Sequence, residues 1–522
     1  MPDPYSNFGP KVPTSQLARA TVDQVLNYAG GYTFQVDPLV LVNRFLILGT
    51  TGGTYYASEP KLTKNALDVI LPFVDSPEWG TKIVDLLVDV SLHGRAPRQN
   101  PTLFLLAALC ASKDRATRVK ALECVPRVCR TGTMLFIFAR YAEQFRGWGR
   151  GLRDAVAKWY TDKPVDQLAY QAVKYRQREG YVHRDMLRLS HPKTTDPVRK
   201  QLYDWMCGRK VTNPPEIIAG YELANIPGAD IVHMINRFKL PWEALPNTAL
   251  SKPEVWEAML PEMGITALIR NLNRLTKLGV ISTYGGGKAV ERLTNPLELR
   301  KGRVHPFTVL MALSTYKAGK GIKGSMTWTP NHKIIDALDE AFYLCFNNIE
   351  PTGKRTMIAL DVSPSMDGSK IYNSHLSARV GAAAMSMVTV KTEPEYIAMA
   401  FAGDIQPIAI SPKQRLDDVC AMVSGLKWSR TDCSLPMLWA LRNKVSVDTF
   451  IIYTDNETWS GNIHPFQALR AYRERYSINA KLIVVGMTAT QFTIADPDDA
   501  DMLDVVGFDT AAPQVMADFS RG

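Results

Sequence analysis

One short loop combines a carboxylate with two hydroxyl groups directly after an apolar run. The run is Met357–Leu360, and Asp361, Ser363 and Ser365 follow it in the pattern Asp-x-Ser-x-Ser. An apolar run that stops abruptly at polar residues predicts a buried strand leading into a loop. In open α/β sheets ligands bind at the carboxyl ends of strands, and hard oxygen donors suit Mg²⁺ or Mn²⁺. The loop is therefore a candidate metal site.

Two further oxygen donors follow downstream in a compatible order. A second apolar run, Phe450–Tyr453, leads to Asp455, and Thr431 lies in a turn-like stretch between the two runs. With the first loop, these residues match the metal-ion-dependent adhesion site of von Willebrand factor A domains. Ser, Thr and Asp also serve as helix caps and turn residues, and for Thr431 alone that role competes with metal binding. The five residues together, each Asp preceded by a strand, favour the metal site.

The composition is that of a soluble globular protein with roughly two to four domains. The chain has 522 residues, of which 46% are hydrophobic and 21% are charged. No apolar run reaches the length of a membrane helix, and the N-terminus lacks the basic and apolar regions of a signal peptide. Seven scattered cysteines form no CxxC pair, which predicts reduced thiols. We therefore expect a cytoplasmic protein that does not act at a membrane.

The net charge of +10 is unevenly distributed. Residues 355–522 carry 15 Lys and Arg against 19 Asp and Glu, a net charge of −4. Of the total of 61 basic and 51 acidic residues, residues 1–354 therefore carry 46 and 32, a net charge of +14. Such an asymmetry indicates a polyanionic partner for the first part of the chain, although a merely solvated basic surface is a common alternative.

Hydrophobic periodicity divides the chain near residue 354. Between residues 15 and 341, apolar residues recur at three- and four-residue spacing in short segments such as Ile83–His93 and Ile265–Leu278. This pattern predicts a HEAT-type array of helix pairs. After residue 354, strand-like apolar runs alternate with helical stretches, which predicts a doubly wound parallel sheet. We expect a helical repeat domain over residues 1–354 and an α/β domain over residues 355–522.

A cation-rich segment stands out within the predicted helical array, KYRQREGYVHRDMLRLSHPK at residues 174–193. Lys174 and Arg178 are four residues apart and would share one face of a helix that ends at Gly180. A second helix would begin near His183 and place His191 at its far end. Cations on adjacent helix ends suit contacts with phosphate groups. Taken alone, His191 is more often a capping or surface histidine.

Two further segments carry cations at helical spacing. Arg150 and Arg153 lie in the sequence WGRGLR, and Arg270 and Asn271 lie in ALIRNLNR. Both segments would suit a basic inner surface of the helical array. Both would equally suit salt-bridged arginines that face solvent, and the sequence leaves the two interpretations open.

Long strings along almost the whole chain resemble one family, the TROVE-domain proteins of the Ro 60 kDa autoantigen type, and in particular its bacterial members. The strings that carry the resemblance include GGYTFQV, RFLILGTTGGTYY, WGRGLR, KYRQREGYVHRDMLRLSH, TALIRNL, EPTGKRTMIALDVSPSM, RTDCSLPM, YTDNETW and FTIADPDD. The resemblance implies a ring of HEAT-like repeats (the TROVE domain) closed by a von Willebrand factor A domain. It also implies binding of small noncoding Y RNA on the outer surface and of single-stranded 3′ ends of misfolded or structured RNAs in the central hole.

The resemblance also implies roles for individual residues. Lys174, Arg178 and His191 fall on the Y RNA contact positions. The residues on the metal-site positions are Asp361, Ser363, Ser365, Thr431 and Asp455. The basic or polar character of Arg150, Arg153, Arg270 and Asn271 suggests that they line the hole. One departure is Arg430, since a Gly often precedes the Thr in such metal sites, and a long side chain there would crowd the metal or add positive charge.

The function that these expectations favour is a scaffold for RNA quality control with no catalysis of its own. In bacteria the family resemblance implies tethering to a 3′-to-5′ exoribonuclease. An alternative is a metal-dependent nuclease or phosphatase that uses the Asp361/Asp455 site, with Asp367 or Glu457 as the base that activates water. The net acidic charge of residues 355–522 disfavours a polyanionic substrate there. A protein-adhesion role for the metal site is compatible with RNA binding.

Overall fold

Short helices make up most of the described chain between residues 38 and 344. The computed structural model describes residues 13–49, 68–321, 325–346, 349–369, 371, 376–426 and 428–522. The α-helices of this first part that lie wholly within the described ranges are Pro38–Leu48, Gly80–Leu92, Asn100–Cys110, Arg115–Val128, Gly132–Phe145, Arg150–Thr161, Val165–Lys174, His183–Ser190, Pro197–Met206, Glu216–Ala224, Ile231–Phe238, Pro253–Met259, Ile265–Lys277, Tyr284–Leu293, Pro296–Lys301, Pro306–Lys317 and His332–Leu344. Single 3₁₀ turns lie at Trp242–Ala244, Ala249–Ser251 and Val280–Ser282.

These helices begin and pack as their sequences predict. Asp114, Thr131 and Asn331 precede helices and accept hydrogen bonds from free backbone N–H groups of the first turn. Along the chain, each helix tends to pack against the helix after next. The series that shows this arrangement is Gly80–Leu92, Arg115–Val128, Arg150–Thr161 and His183–Ser190. This alternate packing is that of a helical repeat array, so the predicted HEAT-like array is confirmed.

The strands, in chain order, are β1 Gln24–Leu26, β2 Tyr32–Gln35, β3 Gln177–Arg178, β4 Tyr181–Val182, β5 Thr356–Asp361, β6 Tyr396–Phe401, β7 Ile405–Pro407, β8 Thr449–Thr454, β9 Lys481–Gly486, β10 Phe492–Thr493 and β11 Met502–Val506. Six of them form one sheet in the order β11-β9-β8-β5-β6-β7, which is parallel except for β7. The accompanying helices are Pro364–Gly368, Ala378–Thr392, Leu416–Gly425, Leu435–Asn443, Pro465–Tyr476 and Ala512–Arg521. Every residue of β5 and β8 is buried, as expected for central strands covered on both faces.

The segment before the first helix packs on the C-terminal part of the chain. Strands β1 and β2 form a hairpin, and β2 also pairs with β10, with Phe492 opposite Gln35. The periodicity of residues 15–341 predicted no strand here. The difference has a physical reason, because β10 lies more than 450 residues away and neither strand is long enough to be recognised alone.

Both ends of the helical array contact the C-terminal domain and each other. Near the beginning, the buried guanidinium of Arg44 lies 2.6 Å from Asp504 in β11. Near the end, Lys317 lies 2.5 Å from Asp417. The two ends also meet directly, since Arg303 donates a 2.8 Å hydrogen bond to the carbonyl of Leu92. These contacts close the array into a ring. None of the helices in the described ranges is both long enough and apolar enough to cross a membrane.

Candidate functional site

The two candidate metal carboxylates lie at the same edge of the sheet. Asp361 is the last residue of β5, and Asp455 directly follows β8. These strands are parallel neighbours, with Leu360 opposite Tyr453, so both loops leave the sheet side by side. Both carboxylates have no exposed surface. The predicted convergence of the two loops is therefore present.

Hydrogen bonds fix the first carboxylate firmly. One Asp361 oxygen accepts from the backbone N–H of Ser363 at 2.9 Å, and the other accepts from the Thr454 hydroxyl at 2.7 Å. The hydroxyls of Ser363 and Ser365 lie 2.9 Å apart, and both side chains are buried. Three of the five predicted residues thus form one preorganised group of oxygen atoms.

The remaining two residues contribute oxygen atoms without partners. In the described part of the chain, Thr431 Oγ1 and Asp455 Oδ2 are buried and have no hydrogen-bond partner. Burial raises the pKa of Asp361 and of Asp455, and the charge of Asp361 raises the pKa of Asp455 further. A divalent cation between the two carboxylates would remove this repulsion and occupy the free oxygens. The residues present therefore fit Mg²⁺ or Mn²⁺.

The donor set is poor in strongly binding side chains. No group of three or more His, Cys, Asp or Glu residues stands close enough to hold a metal ion among the residues that the structure describes. The candidate site has two carboxylates and depends on the hydroxyls of Ser363, Ser365 and Thr431 for the rest. Hydroxyls are weaker ligands than carboxylates, so affinity depends on how rigidly the loops hold them.

Arg430 does not crowd the candidate metal site. Its side chain is exposed, and its backbone adopts a left-handed conformation with φ of +68°. That conformation explains why glycine is favoured before the threonine in such sites. The solvent exposure of this side chain argues against crowding of the site, and the expected positive charge beside the metal stays a prediction.

One of the two candidate bases for a hydrolytic reaction, Glu457, is poorly suited to that role. Glu457 is fully buried, and its Oε2 accepts a hydrogen bond from the backbone N–H of Ala29 at 3.0 Å. Burial, followed by the charge of Asp455, raises the pKa of Glu457 to about 9. A carboxyl with this pKa is protonated at neutral pH and cannot serve as a general base there. Asp367 is exposed on the short helix Pro364–Gly368.

Two partners of the metal site were not anticipated from the sequence. Thr454 orients Asp361, and its position directly before Asp455 was the available signal. The N-terminal segment forms the second partner, since Asn27 donates to the carbonyl of Thr458 at 2.7 Å and Ala29 binds Glu457. No local pattern connects residues more than 400 positions apart.

The cation-rich segment does not form the single helical face that its spacing predicted. The first helix of the segment ends at Lys174, and Arg178 lies in the β3–β4 hairpin that follows. Gly180 turns this hairpin with φ of +84° instead of ending a helix. Glu179 at φ of +53° shares the turn. The prediction is wrong because cross-strand pairing competes with helix continuation over these polar residues.

The second helix of the segment begins where the sequence predicted. It spans His183–Ser190 and buries Met186 and Leu187. His191 caps its C-terminal end in a left-handed conformation and is exposed. Arg178 is exposed before its N-terminal end and forms a 3.3 Å ion pair with Glu179. An eight-residue helix is about 12 Å long, and in the sequence Arg178 precedes this helix while His191 follows it.

Lys174 is half-buried among aromatic rings. Its ammonium donates a hydrogen bond to the Tyr170 hydroxyl at 3.2 Å and lies over the rings of Tyr170 and Tyr175. Burial lowers the pKa of Lys174. The neighbouring Tyr175, Tyr170 and Glu243 raise it by more, so the pKa is raised overall. Glu243 also interacts electrostatically with Arg270. Lys174 and Arg270 are therefore both within electrostatic range of Glu243, although they belong to two different predicted sites.

Three of the four predicted hole-lining residues are cations without an ion pair. Arg150 and Arg153 are exposed on the first turn of the helix Arg150–Thr161, and Arg270 is exposed on the helix Ile265–Lys277. Within the described ranges, none of these guanidinium groups forms a salt bridge or side-chain hydrogen bond. Asn271 donates to the carbonyl of Ala267 at 2.9 Å. Of the two interpretations, the salt-bridged one does not hold for these arginines.

Comparisons with known proteins agree with this architecture. Residues 25–216 and 233–315 match the model of the TROVE domain, and residues 355–520 match the model of the Ro60 vWA domain. The chain is 40% identical over 518 residues to a Deinococcus radiodurans protein named RNA-binding protein RO60, covering 97% of each chain. A Caenorhabditis elegans protein of the same name is 36% identical, covering 97% of this chain and 91% of its own. The crystal structure of the Deinococcus radiodurans RO (RSR) protein superimposes with a TM-score of 0.69 at 39% identity, covering 93% of this chain and all of that one.

Proposed function

The chain belongs to the Ro60 family of TROVE-domain proteins, and from that premise we propose that it is an RNA-binding protein with no catalytic activity of its own. The observation that carries the proposal is the 40% identity, over 97% of both chains, to a protein named for RNA binding. The match covers nearly the whole of both chains, so it is not confined to one domain. The proposal extends that named property to this chain.

The charge distribution supports binding to a polyanion. Residues 1–354 hold 46 basic and 32 acidic residues, a net charge of +14. Arg150, Arg153 and Arg270 are exposed and carry no ion pair among the described residues. Unpaired guanidinium groups are available to phosphate without first breaking a salt bridge. Binding should therefore be electrostatic and weaken steeply with salt.

The proposal includes two RNA sites of different geometry. The outer site would hold small noncoding Y RNA through Lys174, Arg178 and His191. The inner site would hold single-stranded 3′ ends of misfolded or structured RNAs, with the residues Arg150, Arg153, Arg270 and Asn271. A closed ring admits a single strand more readily than a duplex, so a free 3′ end would be selected by shape. Such selection suits a cytoplasmic role in RNA quality control, with a 3′-to-5′ exoribonuclease as protein partner.

The C-terminal domain would serve protein partners and not RNA. The residues that would hold Mg²⁺ or Mn²⁺ are Asp361, Ser363, Ser365, Thr431 and Asp455. When bound, the cation would offer a coordination position to a carboxylate of a partner protein. The net charge of −4 over residues 355–522 suits this role better than it suits nucleic acid. A nuclease or phosphatase at Asp361 and Asp455 would need a general base, and the raised pKa of Glu457 disfavours that residue.

A binding titration at two salt concentrations tests this function. A labelled stem-loop RNA would be titrated with the protein at about 50 and 200 mM salt in the presence of Mg²⁺, and the RNA would be examined on a denaturing gel afterwards. We expect binding that weakens at least about tenfold between the two salt concentrations, with the RNA intact. Binding that does not respond to salt, or cleavage that is lost in Asp361→Asn, would contradict the proposal.

A further inference from the structure

One partly buried carboxylate, Glu243, lies in the basic surroundings of Lys174 and Arg270. Glu243 lies on the 3₁₀ turn Trp242–Ala244, which packs against the helix Val165–Lys174. Its Oε2 is buried and has no hydrogen-bond partner in the part of the chain that the structure describes. Neither carboxylate oxygen forms an ion pair there. Burying a carboxylate oxygen without a hydrogen-bond donor costs free energy. A ligand that donates a hydrogen bond to this oxygen would recover that cost.

The carboxylate lies in the wall of a cavity of about 180 Å³. Among the lining residues are the aromatic Tyr170 and Trp242, the cation Lys174 and the apolar Met263. A cavity of ~150 Å³ is large enough for benzene. The cavity therefore has room for one planar heterocycle, whereas a whole nucleotide or a helix would not fit. The aromatic lining suits stacking with such a ring.

A ligand that satisfies Glu243 brings hydrogen-bond donors to it, and on the bases of RNA these donors are N–H groups. A phosphate would be repelled by the carboxylate, and an adenine or cytosine edge would place an acceptor nitrogen beside its single amino group. Uracil offers one N–H. Guanine alone among the four RNA bases presents two adjacent donors, N1–H and the 2-amino group, which match the two oxygens of a carboxylate.

We propose that this cavity binds the base of an unpaired guanosine in RNA, with Glu243 accepting hydrogen bonds from N1–H and the 2-amino group. The inference rests on the proposed RNA-binding function and adds base recognition to it. Lys174 in the wall and Arg270 nearby supply positive charge for the phosphates on either side of the base. Paired guanosine is excluded, because its N1–H and 2-amino group are already used in the duplex.

Short single-stranded oligouridylates that differ only at one central base test the proposal. The central base would be U, G, A, C or inosine, and affinities would be measured for the wild type, Glu243→Gln and Glu262→Gln. Glu262 is the matched control, because it borders the same cavity but is exposed and paired with Lys239 at 3.7 Å. Thermal unfolding of each variant would verify that it is folded.

We expect the wild type and Glu262→Gln to prefer the guanosine-containing strand by about tenfold. Inosine, which lacks the 2-amino group, should retain only part of this preference. Glu243→Gln should lose the preference and keep its affinity for oligouridylate, because one oxygen becomes a donor amide that opposes N1–H. Equal affinities for all strands, or a preference that survives in Glu243→Gln, would overturn the inference. If no strand binds, the proposed RNA-binding function itself has failed.

Discussion

Arg95 and Asp509 join the helical array to the C-terminal domain through a bidentate ion pair. Arg95 Nη2 lies 2.6 Å from Asp509 Oδ2, and Arg95 Nε lies 3.0 Å from Asp509 Oδ1. Arg95 follows the helix Gly80–Leu92, and Asp509 follows β11, so the pair links the helical array to the sheet domain. The Asp509 side chain is only 6% exposed. The same arginine also contacts Asp89.

Asp509→Asn should destabilise the protein by about 2–4 kcal/mol, because it removes the buried counter-charge of a largely buried guanidinium and leaves only the more exposed Asp89 as its ion-pair partner. The comparison variant is Asp85→Asn, which breaks the exposed pair with Lys120 at 2.6 Å and should cost less than about 1 kcal/mol. Chemical denaturation of the two variants measures the difference. Equal losses would show that the Arg95–Asp509 pair contributes no more than a surface pair.

His305 makes the contact between the two ends of the array sensitive to pH. It is buried, its Nδ1 accepts from the backbone N–H of Phe307 at 3.1 Å, and its Nε2 lies 3.0 Å from the carbonyl of Arg95. The carbonyl accepts, so the neutral ring carries its proton on Nε2. Burial lowers the pKa of His305 to about 4, although Asp509 nearby opposes this effect.

A histidine whose pKa is lowered in the folded state stabilises above its unfolded pKa of 6.5, and the stabilisation is lost as pH falls toward 4. His305→Asn retains an N-cap acceptor for Phe307 and removes the titration. Between pH 7 and pH 5 the wild type should lose about 2 kcal/mol more unfolding free energy than this variant. Burial also lowers the pKa of His183 to about 4. This residue titrates in both proteins, so its contribution cancels in the difference between their unfolding free energies. Identical pH profiles would contradict this account.

The metal site predicts stabilisation by divalent cations. Mg²⁺ or Mn²⁺ should raise the unfolding temperature of the wild type, with a gain of about 2.7 kcal/mol at a hundred times the dissociation constant. Asp455→Asn should abolish the shift, because it removes the carboxylate whose Oδ2 is unpartnered. Asp404→Asn, at an exposed position, should keep it. A shift that persists in Asp455→Asn would place the cation elsewhere.

The unpaired arginines predict a change in salt dependence. Arg150→Ala/Arg153→Ala/Arg270→Ala should weaken binding of a duplex with a single-stranded 3′ tail. The slope of log affinity against log salt should fall by about 2, because each lost contact with a single strand removes ~0.7. Lys413→Ala, at an exposed position in the acidic C-terminal domain, should leave both quantities unchanged. An unchanged slope in the triple variant would exclude these residues from the inner site.

Sequence patterns sufficed for the parts of the fold that are locally determined. The apolar runs before Asp361 and Asp455 are central strands, and both ends converge as expected for neighbouring parallel strands. The helical array also followed from three- and four-residue periodicity. In these cases the residues that determine the structure are adjacent in the chain, so their spacing carries the information.

The remaining features depend on contacts between distant residues. The pairing of β2 with β10 joins segments more than 450 residues apart, and no local pattern records it. The i, i+4 spacing of Lys174 and Arg178 predicted a helix, but the β3–β4 hairpin replaced it. Glu243 could not be predicted, because a lone glutamate on a one-turn helix has no sequence signature. Its isolation becomes visible only when Lys174 and Arg270 are seen beside it.

One titration tests most directly whether the outer and inner RNA sites are separate surfaces. The wild type and Lys174→Ala/Arg178→Ala/His191→Ala would each be titrated with a stem-loop RNA and with a duplex that carries a single-stranded 3′ tail. Thermal unfolding would confirm that the variant is folded. The triple variant should no longer bind the stem-loop RNA, and it should keep most of its affinity for the tailed duplex. Loss of both RNAs would indicate one shared surface, and no loss of either would contradict the placement of the outer site.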